Sequence, residues 1–121
     1  MKLFLLIWVR NNLYDKNQLK EIIMAPAYLI VDTKIREPES YEDYKKLAKP
    51  IVESFGGEYL ARGGELHIDQ DDLWSPSRIV LVKFPSLEQA KSFLNSEQYQ
   101  SAKALRLNSS RATLTVIEGI E

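Results

Sequence analysis

The chain has 121 residues, of which 45% are hydrophobic and 27% charged, and a formal net charge of −1. That length suits one domain with its own core, and the balanced charge offers no nucleic-acid surface. Cysteine is absent, which excludes disulfides, thiolate metal sites and cysteine nucleophiles and suits a reducing, cytoplasmic setting.

The chain opens with Lys2 and an apolar run from Leu3 to Val9. The run is far short of the roughly 20 residues that span a bilayer. It sits at the lower limit of a signal core, about 7–15 residues, and the charged stretch to Glu21 does not suit a cleavage region. No membrane partner and no secretion are expected. Residues 1–23 favour the amino acids of AT-rich codons, and Lys20-Glu21 is encodable as a bacterial ribosome-binding sequence just upstream of Met24. The expectation is that residues 1–23 are a non-native leader, with a short helical or disordered extension as the alternative. Residues 24–121 then form a single domain.

Ala27 to Ile35, rich in Tyr, Leu, Ile, Val and Thr, predicts a strand that Pro38 ends. Ser40 with Asp43 resembles a capping box. Tyr41, Tyr44, Ala48, Ile51, Val52 and Phe55 follow at helical spacing, with Pro50 expected to kink or divide the helix. Gly56-Gly57 suits a left-handed helix end. Glu58 to Arg62 predicts a second strand, broken by Gly63-Gly64. A polar connection follows to Ser77, with a strand extension over Leu66 to Ile68. Arg78 to Phe84 predicts the third strand. Ser86 with Gln89 is a second capping box, and its helix carries Leu87, Ala90, Phe93 and Leu94. A further helical stretch from Asn95 or Ser96 carries Tyr99, Ala102 and Leu105, and Ala112 to Glu118 predicts the last strand.

The order β-α-β-β-α-β predicts an α+β, ferredoxin-like sandwich. Its helices cover one face of a four-stranded sheet, yet the first and third strands are apolar on both faces. Such strands are normally buried on both sides. A second copy of the same sheet is the simplest cover, so a homodimer joined through the sheet face is expected.

Certain residues carry a resemblance. They are Tyr41-Glu42-Asp43-Tyr44, the run Gly56-Gly57-Glu58-Tyr59-Leu60-Ala61-Arg62-Gly63-Gly64, Trp74, Phe84-Pro85-Ser86, and Tyr99-Gln100-Ser101-Ala102-Lys103-Ala104-Leu105-Arg106. In order and spacing, from about Ala27 to Gly119, the chain resembles domain-of-unknown-function family 1330. The resemblance implies a dimeric α/β barrel, in the broad group that also holds cofactor-free monooxygenases and lactone isomerases. It implies no reaction, since the family has none assigned.

The candidate chemistry is sparse. His67, Asp69, Asp71 and Asp72 alternate in a way that could ligate a divalent ion. A solvated acidic loop is the expected reading, because ligands normally come from several supported elements. Arg62 leaves a strand before two glycines, placed to fork onto a carboxylate or enolate or to pair with Asp32 or Glu118. Trp74 either walls a pocket or clamps its loop. Tyr44 lies on the core stripe, with a hydroxyl that can reach a helix–sheet pocket. Asp32, the one acid in an apolar strand, is a candidate base with a raised pKa if it points inward. Arg106 and Arg111 are assigned to surface or interface. No cofactor is expected, since Gly63-Gly64 lacks the lysine and context of a phosphate loop.

Two functions remain in play. The first is a cofactor-independent enzyme acting on a small organic acid or enol, with Asp32 and Arg62 as catalytic residues and Tyr44, His67 and Trp74 binding. The second is a non-catalytic dimer that binds a small molecule or a protein. The enzyme needs Asp32 or His67 within reach of a cavity that Arg62 also enters.

Overall fold

The computed structural model describes residues 25–120. The expected leader, residues 1–23, lies outside the described residues. The elements are β1 (Ala27–Ile35), α1 (Pro38–Ser54), β2 (Glu58–Arg62), β3 (Ile79–Phe84), α2 (Leu87–Asn95), α3 (Glu97–Ser109) and β4 (Ser110–Glu118). The sheet runs β2-β3-β1-β4 with every neighbouring pair antiparallel. With β3 placed between β1 and β2, this is the ferredoxin-like α+β arrangement.

Local chemistry explains most boundaries, and some differ from expectation. Helix α1 starts at Pro38, before the expected Ser40–Asp43 box, and Glu37 at its cap makes no side-chain bond. The fixed φ and missing donor of proline suit a first helical position. Pro50 lies inside α1, yet the helix continues through it to Ser54. The expected extension over Leu66–Ile68 does not form; residues 63–78 are a loop. The Ser86 cap does form. Its Oγ accepts the Gln89 N–H at 3.1 Å, while the Gln89 side chain donates to the Phe55 carbonyl at 3.2 Å and ties α2 to the end of α1. Ser96 caps α3 by accepting the Tyr99 N–H at 3.1 Å.

Strand β1 alternates strictly. Ala27, Leu29, Val31 and Thr33 are buried, while Tyr28, Ile30 and Asp32 are half-buried. Ala27, Leu29 and Val31 join Val80, Val82 and Phe84 of β3, Val52 of α1, Ala90 and Phe93 of α2, and Tyr99 and Ala102 of α3 in one core. The centroids of Phe84 and Phe93 lie 5.4 Å apart, and those of Phe93 and Tyr99 4.5 Å. Each such side chain contributes about 1.5–3 kcal/mol by burial. Among the described residues, the other face of the sheet carries no helix. There Ile30 stands between Leu81 and Thr115, and Tyr28 between Lys83 and Ile117.

Strand β2 is irregular in one respect that matters for the site. Tyr59 pairs with Val82 and Ala61 with Leu81, so Leu60 is an extra, bulged residue. A bulge breaks the two-residue alternation of a strand. Here it turns both Tyr59 and Arg62 toward the helices.

Candidate functional site

The helix side of the sheet gathers four tyrosines and three arginines. Tyr41 and Tyr44 come from α1, Tyr59 and Arg62 from β2, Arg78 from the end of the loop, and Tyr99 and Arg106 from α3. Helical spacing explains α3, whose buried face is Tyr99, Ala102, Arg106 and Ser109. Arg106 is only 6% exposed.

These groups are linked to one another. The Tyr44 and Tyr99 hydroxyls are 2.9 Å apart, and Arg106 donates its Nε–H to the Tyr99 hydroxyl at 3.1 Å. Arg62 donates to the Lys45 carbonyl at 3.0 Å and lies 4.4 Å over the Tyr59 ring. Arg78 donates to the Tyr41 hydroxyl at 3.1 Å and stands 5.3 Å from that ring. None of the three arginines pairs with a carboxylate: among the described residues the one ion pair is Lys45–Glu42, at 3.1 Å. A cavity of about 30 Å³ opens between α1 and the sheet, walled by Val31, Tyr41, Tyr44, Lys45, Tyr59, Arg62, Val80 and Arg106.

The electrostatics are one-sided. Burial first, and the neighbouring Tyr99 second, push the Tyr44 hydroxyl far above the ordinary tyrosine value of 10.0. Burial likewise raises Tyr59, with Arg62 opposing it. Near neutral pH both phenols therefore keep their protons. The cleft offers hydrogen-bond donors and fixed positive charge, and its walls hold neither carboxylate nor imidazole.

Asp32 lies elsewhere. By the alternation of β1 it stands on the sheet face away from α1, α2 and α3, opposite to Arg62. It anchors the loop. One carboxylate oxygen accepts the Trp74 indole N–H at 2.8 Å, and the other accepts the Ser77 and Arg78 N–H groups at 2.8 and 3.0 Å. Partial burial pulls its pKa up, but the Arg78, Trp74 and Ser77 bonds, with Lys34 nearby, together hold it below the ordinary 3.8. The raised pKa expected of a base is thus absent, because three donors stabilise the charged form. Trp74 keeps company with Asp32 rather than Arg62. His67 is exposed in the loop with Asp69, Asp71 and Asp72. Among the described residues no group of three or more His, Cys, Asp or Glu is placed to hold a metal.

Of the sequence candidates, the cleft brings Arg62 and Tyr44 together. It adds Arg106, Tyr59 and Tyr99. Arg106, expected at the surface or an interface, is buried instead, because its seven-residue spacing from Tyr99 places it on the same buried helical face.

The comparisons agree on the fold. The model of a family described as "Domain of unknown function (DUF1330)" matches residues 26–120. A search of curated proteins finds no match. A solved protein of unknown function from Rhodopseudomonas palustris is similar, with a TM-score of 0.64 and 15% identity over 89% of this chain and 95% of that one. SnoaB, a cofactor-independent oxygenase from Streptomyces nogalater, aligns with a TM-score of 0.59 and 8% identity over 80% and 95%. A dimeric ferredoxin-like protein of unknown function from Jannaschia sp. CCS1 aligns at 0.56 and 14% over 78% and 99%. Identities this low show a shared fold. Among the described residues no helix is long and apolar enough to cross a membrane.

Proposed function

We propose, from the premise that the chain belongs to the DUF1330 family, that it is a homodimeric module that binds a small organic anion in the α1–sheet cleft. The observation that carries this reading is Arg106, buried to 6% exposure with no carboxylate beside it. An unpaired buried charge is costly, by several kcal/mol even after relaxation. A bound carboxylate or enolate supplies the missing negative charge, and Arg62 and the Tyr44 hydroxyl stand beside it as further donors. The dimer is supported by the apolar sheet face that none of the described helices covers and by the Jannaschia protein of like fold, which is dimeric.

The catalytic alternative is cofactor-independent oxygenation or isomerisation of the same anion. It is supported by the structural likeness to SnoaB. It needs a base at the cleft, whereas Asp32 stands on the opposite face and His67 in the exposed loop. The binding reading therefore leads.

Thermal denaturation with a panel of small carboxylates tests it. An acid at a hundred times its dissociation constant adds about 2.7 kcal/mol to stability. In Arg106→Met that response is lost, while the unliganded protein is as stable as the parent or more so, because an uncompensated buried charge is gone. A panel without any shift, or an undiminished shift in Arg106→Met, would sink the proposal.

A further inference from the structure

We propose that the occupant of this cleft is a dianion, a short aliphatic dicarboxylate, rather than a simple monoanion. The inference rests on the anion-binding reading above and concerns the space outside Arg106. The inner cavity, about 30 Å³, has room for one small head group. An outer groove of about 400 Å³ shares Lys45 and Arg62 with it and is walled further by Glu42, Lys46, Lys49 and Pro50. Glu42, Lys45, Lys46 and Lys49 follow at intervals of three, four and seven residues, so they form one face of α1.

That face is electrically unbalanced. Its carboxylate, Glu42, is taken by the Lys45 ammonium at 3.1 Å. Lys46, Lys49 and Arg62 are left without a carboxylate partner among the described residues. An ordinary solvated helix face mixes signs at these spacings, because like charges three and four residues apart repel. Here the cations crowd the mouth of a cleft whose inner end holds Arg106. A ligand with one carboxylate on Arg106 and the Tyr44 hydroxyl has its second end in this groove. Lys45 and Lys49 are separated by about 6 Å along the helix axis, which sets the span of a ligand a few carbons long.

Isothermal titration of the full chain at low ionic strength with glutarate and butyrate tests the inference, since the two differ by one carboxylate on the same carbon chain. Glutarate is expected to bind roughly tenfold tighter, the sum of two or three partly exposed charge contacts. The advantage falls as salt rises. Replacing both exposed lysines, Lys46→Gln with Lys49→Gln, removes most of it and leaves butyrate binding and the melting temperature unchanged. Equal affinity for the two acids, or a glutarate preference that survives the double substitution, overturns the dianion and spares the anion cleft. Binding of neither acid overturns both.

Discussion

Two acidic or basic side chains in this molecule look alike in the sequence and do opposite things. Asp32 is a charged group satisfied from three sides, and Arg106 is a charged group satisfied from one. Asp32 therefore reads as a fastening for the loop of residues 63–78. Asp32→Ala should free Trp74, Ser77 and Arg78, seen as faster amide exchange at Ser77 and Arg78 and a changed Trp74 emission. The cost is about 1 kcal/mol, below the usual figure for charged hydrogen bonds because solvent screens the group. The sign of its pH dependence follows from the lowered pKa. The stabilisation is present above the unfolded value near 3.9 and is lost as pH falls through the folded one. Acid titration of the Trp74 signal should have its midpoint below 3.8, and a midpoint above it would contradict the fastening. Arg106 was not legible as a site residue, because its charge argued for the surface while only its helical spacing from Tyr99 argued for burial. Which of those wins depends on tertiary neighbours, here the Tyr99 hydroxyl.

At the scale of the elements, β1, β2 and the cap at Ser86 were readable because periodicity and capping are local. The start of α1 was misplaced because two local signals competed, the Ser40–Asp43 box and Pro38 at the first turn. Proline prevailed, being pre-set for that position. The bulge at Leu60 left no sequence trace, since it is defined by the partner strand. The glycines divide by what surrounds them. A Cβ on Gly57 would fall 2.8 Å from the Val52 carbonyl oxygen and 3.0 Å from the Phe84 ring, whereas one on Gly64 would meet nothing within 4 Å. Gly57→Ala should cost about 1–3 kcal/mol through overpacking, and Gly64→Ala should lie within about 0.5 kcal/mol of the parent. Urea denaturation of both variants measures the contrast; similar losses would mean the close approach at Gly57 is relieved by small shifts of α1.

For the whole molecule, the fold followed from element order, and the pairing is inferred from the apolar face that the helices leave open. Ile30 stands mid-strand on that face, flanked by Leu81 and Thr115. Light scattering at micromolar concentration should return twice the chain mass. Ile30→Asp should return a single chain mass with far-ultraviolet dichroism intact, because a buried unpaired carboxylate is not tolerated between sheets. A parent protein that scatters as a monomer would refute the dimer without touching the cleft. The proposed function thus assigns the two faces of the sheet to different partners, a small anion on one and a second chain on the other. The bulge absorbs Leu60, so that Tyr59 and Arg62, three residues apart, share the cleft face. Deleting that one residue would leave Tyr59 and Arg62 two positions apart, opposite Val82 and Val80, so strict alternation would still hold the arginine in the cleft. In descent, then, this end of the strand can gain or lose a codon without giving up its arginine.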